Sequence, residues 1–83
     1  MDLNEIKKLV HEAISAHAWF SVAEIEDGHL LKDDFGIDSL DVVEMVMTFE
    51  EKLSIHVSDE ETSEIERMTV GQLVGFLAEK VNV

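Results

Sequence analysis

Apolar residues return every three or four positions through most of this chain. That spacing lines one side of an α-helix and cannot line one face of a strand, where the period is two. Leu3, Ile6, Leu9, Val10, Ala13, Ile14 and Ala18 form the first stripe, with Glu5, Lys7, Lys8 and Glu12 between them. Residues 3–18 are therefore predicted as an amphipathic helix, capped by Asp2 with Glu5 at capping-box spacing. Val42, Met45, Val46, Phe49 and Leu53 mark a second helix from about Ser39 to Leu53. Ser58-Asp59-Glu60-Glu61 places carboxylates behind a cap, as suits the positive end of a short helix of about two turns. Val70, Leu73, Val74, Leu77 and Val81 mark the last helix, beginning at Thr69 with Gln72 at capping-box spacing and Phe76 near the stripe's edge. Gly71 and Gly75 each cost about 1 kcal/mol of helix propensity, which predicts a close helix approach there. With no Pro, no Tyr and only four Gly, the chain lacks the turn chemistry of an all-β domain. The fold class expected is all-α: a four-helix bundle with a short third helix and a long loop between helices one and two.

The 83 residues leave no room for a second core, so residues 1–83 are expected to form a single domain. From Trp19 to Asp38 the helical period lapses, and connections longer than about 12–15 residues are uncommon in small domains unless they have a role. Trp19, Phe20, Val22, Ile25, Leu30, Leu31 and Phe35 are expected to pin this loop onto the helices.

Nineteen Asp or Glu against six Lys or Arg give a net charge of −13. Nucleic-acid backbones and anionic membrane surfaces are bound by displacing counterions with Lys and Arg, so both are excluded as partners, and a basic partner is expected. The absence of cysteine removes disulfides, thiolate metal sites and cysteine nucleophiles together. Any thiol chemistry must come from outside the chain. The first residues carry neither the positive flank nor the apolar run of a secretory signal, and no apolar stretch approaches the roughly 18–20 residues that span a bilayer. A monomer in the cytoplasm, or in an organelle interior after processing, without stable membrane insertion is the expectation.

The second helix carries more apolar surface than folding requires. At about 100° per residue, Leu40, Val43 and Met47 fall nearly opposite the core stripe. Glu44 and Glu51 lie on or beside this second stripe, and Asp41 and Glu50 flank it. An apolar strip with an acidic border is how a docking surface for a basic, partly apolar partner is built. The alternative is a helix buried on both sides.

The strongest local signal is Asp33-Asp34-Phe35-Gly36-Ile37-Asp38-Ser39-Leu40-Asp41. Gly36 permits a sharp backbone turn, Asp38 can cap the helix, and Ser39 is then left in the first turn with its hydroxyl outward. A phosphate ester there would meet free N–H groups and the positive end of the helix dipole. From spacing alone, Ser39 could equally be the cap itself. Catalysis in cis is not expected. His11, His17, His29 and His56 are spread along the chain, no Gly-x-Ser-x-Gly elbow is present, and each histidine is read as a surface or loop residue. The acidic groups Asp33/Asp34/Asp38/Asp41 and Asp59/Glu60/Glu61 are read as a solvated face with at most weak cation binding, so neither a catalytic nor a metal site is expected.

Asp34-Phe35-Gly36, Asp38-Ser39-Leu40 and Asp41-Val42-Val43-Glu44-Met45-Val46-Met47, followed by Glu50-Glu51 and Asp59-Glu60-Glu61, closely resemble the acyl carrier proteins over most of the chain. The resemblance implies a non-enzymatic carrier. It implies that Ser39 receives a 4′-phosphopantetheine arm from coenzyme A through a phosphodiester, installed by a separate phosphopantetheinyl transferase. The arm's thiol would carry acyl groups as thioesters between enzymes of fatty-acid biosynthesis, which answers the missing cysteine. Asp38, Asp41, Glu44, Glu50 and Glu51 would be electrostatic contacts, and Leu40, Val43 and Met47 apolar contacts, to basic patches on synthase enzymes and acyltransferases. Two rival readings are a carrier for a polyketide or specialised-lipid pathway and an unmodified acidic adaptor.

Overall fold

Each long helix begins where the sequence supplies a cap. In the computed structural model, which describes residues 1–82, α1 spans Leu3–His17 and starts behind Asp2, whose carboxylate accepts the Glu5 N–H at 2.9 Å. A 3-10 turn, Val22–Glu24, and a short α2, Leu31–Phe35, come next. Behind Asp38 runs α3, Ser39–Leu53, and behind Ser58 runs α4, Asp59–Ile65. Last comes α5, Val70–Lys80, where the Thr69 hydroxyl accepts the Gln72 N–H at 3.1 Å. The caps of α1, α3, α4 and α5 are reciprocal boxes, each contributing about 1 kcal/mol.

The result is an all-α bundle whose four longer helices are the four expected from the sequence. The additions are the 3-10 turn and α2, a single helical turn, both inside the expected loop. Among the described residues the only β pairing is an isolated bridge between Leu30 and Thr69. The core is one apolar cluster. Ile6, Val10 and Ile14 of α1, Leu73 and Leu77 of α5, and Val42, Met45 and Phe49 of α3 all belong to it, and α1 lies against both α5 and α3. No described helix is long and apolar enough to cross a membrane.

The loop between α1 and α3 is anchored only in part as expected. Ile25, Leu31 and Phe35 are buried, and Phe20 packs edge-on against Phe35 with ring centroids 4.7 Å apart. Backbone bonds tie the loop to the start of α5: Val70 donates to His29 at 2.9 Å and Gly71 to Asp27 at 2.9 Å. Trp19 does not pin the loop; it is 102% exposed, and Val22 is exposed as well. Both lie in the stretch directly after α1, where Ser21 and Glu24 bond each other rather than the core. The glycines also divide. A Cβ at Gly71 would sit 3.2 Å from the Asp27 Cβ, so the close approach exists, but to the loop and not to a helix. Gly75 faces open space, and no close approach explains it.

Candidate functional site

The turn that presents Ser39 is set by two neighbours. Gly36 ends α2 at φ 68°, a left-handed conformation that costs glycine little, and its N–H donates to the Lys32 carbonyl at 3.0 Å. Ile37 is buried, and its N–H donates to the Leu31 carbonyl at 3.1 Å, which fixes the chain just before α3. Asp38 then adopts an extended backbone and becomes the cap. Its Oδ1 accepts the Asp41 N–H at 2.9 Å, while Asp41 Oδ2 accepts the Asp38 N–H at 3.1 Å. Because two carboxylates satisfy the cap, Ser39 is not needed for it. Among the described residues no hydrogen bond engages the Ser39 hydroxyl, and the residue is exposed. Of the two roles the sequence left open for Ser39, the structure excludes that of cap.

The surplus stripe is exposed. Leu40, Val43 and Met47 are 67%, 45% and 62% accessible, whereas Val42, Met45, Val46, Phe49 and Leu53 of the same helix are buried. The helix is thus not buried on both sides. Its carboxylates fall into two groups. Glu44 and Glu51 are exposed, and no hydrogen bond or ion pair among the described residues holds them. The others already have partners inside the chain. Asp38 and Asp41 cap the helix, and Glu50 Oε2 accepts the Val57 N–H at 3.0 Å, with His56 Nδ1 3.6 Å away. The Asp38 N–H holds the Asp41 carboxyl below the usual carboxylate range, against partial desolvation, and His17 adds to the effect.

His17, at the end of α1, is where the structure goes beyond the linear reading. Its Nδ1 lies 3.1 Å from Asp41 Oδ1, a contact between residues 24 apart in the chain, and both side chains are largely covered. No spacing rule connects the two positions, so the sequence carries no signal for the pair. His11 is buried on α1 with Nε2 lacking a partner, and burial, with Lys7 assisting, pushes its pKa down. His29 accepts the Glu26 N–H in the loop at 3.1 Å, and His56 is exposed. No hydrogen bond among the described residues joins a histidine to Ser39. A shallow groove of about 510 Å³, lined by Met1, Glu5, Lys8, Leu9, Glu12 and Lys52, opens at the other end of α3.

Comparison with known proteins converges on one family. The family described as "Phosphopantetheine attachment site" matches residues 5–77. An acyl carrier protein of Exiguobacterium sp. is 39% identical over 72 residues, covering 87% of this chain and 89% of that protein. One from Chloroherpeton thalassium is 34% identical over 80 residues, covering 96% and 98%. The solved structure of the acyl carrier protein from Enterococcus faecalis superposes with a TM-score of 0.81 at 31% identity, covering 96% of this chain and 99% of that one.

Proposed function

The chain belongs to the acyl carrier protein family, and from that premise we propose that Ser39 is the residue bearing its phosphopantetheine arm and that the acyl groups it carries belong to fatty-acid synthesis. Members of the family are carriers and not enzymes, and the prosthetic group is covalent. When attached, the arm supplies the thiol that a chain without cysteine cannot.

The observation that carries the assignment is the division of labour between Asp38 and Ser39. The cap is made by the aspartate, so the serine hydroxyl stays exposed and unbonded at the first turn of a 15-residue helix. That position fits a phosphodiester. Unsatisfied N–H groups at a helix start favour an anion, and a modifying enzyme can reach the oxygen without unfolding anything. Around it, Leu40, Val43 and Met47 provide exposed apolar surface for partners. Glu44 and Glu51 are the carboxylates available for direct contact, whereas Asp38, Asp41 and Glu50 contribute field from bonded positions. The occupants we infer are a phosphopantetheinyl transferase, synthase enzymes and acyltransferases with basic docking patches, acting on a cytoplasmic monomer whose single domain is residues 1–83.

Intact-mass measurement after incubation with coenzyme A and a broad-specificity transferase tests the site. The expected result is one phosphopantetheine added to the native chain and none to Ser39→Ala. No gain, or a gain that survives the substitution, overturns the assignment. Loading competition between fatty-acid and polyketide synthase systems tests the pathway, with preference for the fatty-acid enzymes expected.

A further inference from the structure

We propose that His17, Asp41 and Glu44 form a binding site for a divalent transition-metal ion of the zinc class. Among the described residues these are the one group of three potential metal-ligating side chains whose ligand atoms, one from each, all lie within 4.8 Å of one another. The inference is independent of the arm on Ser39.

Two elements build the site. His17 comes from the end of α1, and Asp41 and Glu44 lie one turn apart on α3, so helix geometry aims both carboxylates to one side. Ligands bound to zinc at about 2.0–2.1 Å in tetrahedral geometry sit about 3.3 Å from one another. His17 Nδ1 and Asp41 Oδ1 are already at 3.1 Å, and Glu44 is exposed and unbonded, so a rotamer change can bring in the third ligand. Asp41 is also oriented from behind. The Asp38 N–H donates to its other oxygen at 3.1 Å, the kind of outer hydrogen bond that holds a metal-binding carboxylate in place.

The donor set names the class of ion. Carboxylates alone suit calcium or magnesium, but an imidazole nitrogen shifts preference toward zinc, nickel or copper. The acidic run Asp59-Glu60-Glu61 has no such nitrogen in a comparable group and is assigned nothing. Three protein ligands leave a fourth position for water or another oxygen donor, as in open zinc sites. A net charge of −13 raises the local concentration of any cation.

The test is calorimetric titration of the unmodified full chain with zinc chloride and, separately, with calcium chloride. The expected result is one zinc per chain at this site, bound about tenfold or more tightly than calcium. His17→Ala should weaken zinc about tenfold or more and leave calcium unchanged, Glu44→Gln should weaken zinc several-fold, and Glu60→Gln should do neither. Circular dichroism checks that each variant keeps its helices. Zinc should also shift the His17 ring resonances before those of His11, His29 and His56. Absence of saturable zinc binding, an affinity indifferent to His17→Ala, or shifts as early at exposed His56 would overturn the site. Failure of Ser39 to accept the arm would not bear on it.

Discussion

Ser39 and Ser58 stand at the starts of α3 and α4, each close to carboxylates, yet their hydroxyls are in different situations. Ser58 is the cap of its helix. Its Oγ accepts the Glu61 N–H at 3.1 Å, Glu61 in turn accepts the Ser58 N–H at 3.0 Å, and the residue is half-buried. Ser39 stands one position later relative to its cap. Asp38 and Asp41 take the equivalent bonds, and the Ser39 hydroxyl is left exposed. The neighbouring surfaces differ too: Leu40, Val43 and Met47 are exposed apolar residues beyond Ser39, whereas Asp59 and Glu60 are exposed carboxylates beyond Ser58. One residue of offset separates a hydroxyl used for folding from one available for chemistry.

Exchanging the two serines for alanine gives the largest contrast. Ser39→Ala should abolish phosphopantetheine addition in an intact-mass assay, and Ser58→Ala should leave it complete. Stability should show the reverse order. Loss of the Ser58 cap is expected to cost about 1 kcal/mol, or about 4–8 °C in melting temperature, by thermal denaturation followed with circular dichroism. Ser39→Ala should stay within about 0.5 kcal/mol of the native chain, and Asp38→Ala should cost about as much as Ser58→Ala. Equal losses from the two serine substitutions would break the comparison.

Charge reversal sharpens it further. Glu44→Lys is expected to slow association with the transferase several-fold and to flatten its salt dependence, because Debye screening acts over about 8 Å at physiological ionic strength. Glu60→Lys, beside Ser58, should leave both unchanged in stopped-flow measurements across a salt series. The smallest effect is on acid stability. Asp41 and Glu61 both have carboxyl pKa values below the usual range, Asp41 chiefly through the Asp38 N–H and Glu61 chiefly through the Ser58 N–H, with Lys80 2.9 Å away assisting. A folded-state pKa below the unfolded one means that the two carboxylates stabilise the fold above about pH 4. That contribution is lost as the pH falls through the depressed values. Asp41→Asn and Glu61→Gln should each reduce the slope of melting temperature against pH below about pH 4.

Local rules succeeded where the relevant partners are close in sequence. The bounds of α3, the left-handed turn at Gly36 and the exposed stripe of Leu40, Val43 and Met47 all depend on residues within one or two turns of one another, whereas spacing leaves open the choice of Asp38 over Ser39 as cap. Trp19 shows the limit. Its size suggests burial, but nothing periodic ties it to a face, and the bundle leaves it outside. The turn of α2 was hidden for a related reason: five residues cannot display a helical period, and Leu31 and Phe35 are held by contacts formed only in the folded chain. The helix-propensity cost at Gly71 predicts a neighbouring helix, yet it is the returning loop at Asp27 that approaches it.

The order of helices, the caps of α1 and α5 and the second apolar stripe are determined by the sequence alone, because helix periodicity and capping act over three or four residues. Only the tertiary structure decided that His17 meets Asp41, that Glu50 is bonded to the chain entering α4 while Glu44 and Glu51 are not, and that Trp19 faces solvent. Those outcomes depend on how α1 and the loops lie against α3, and such packing is set by the whole core at once.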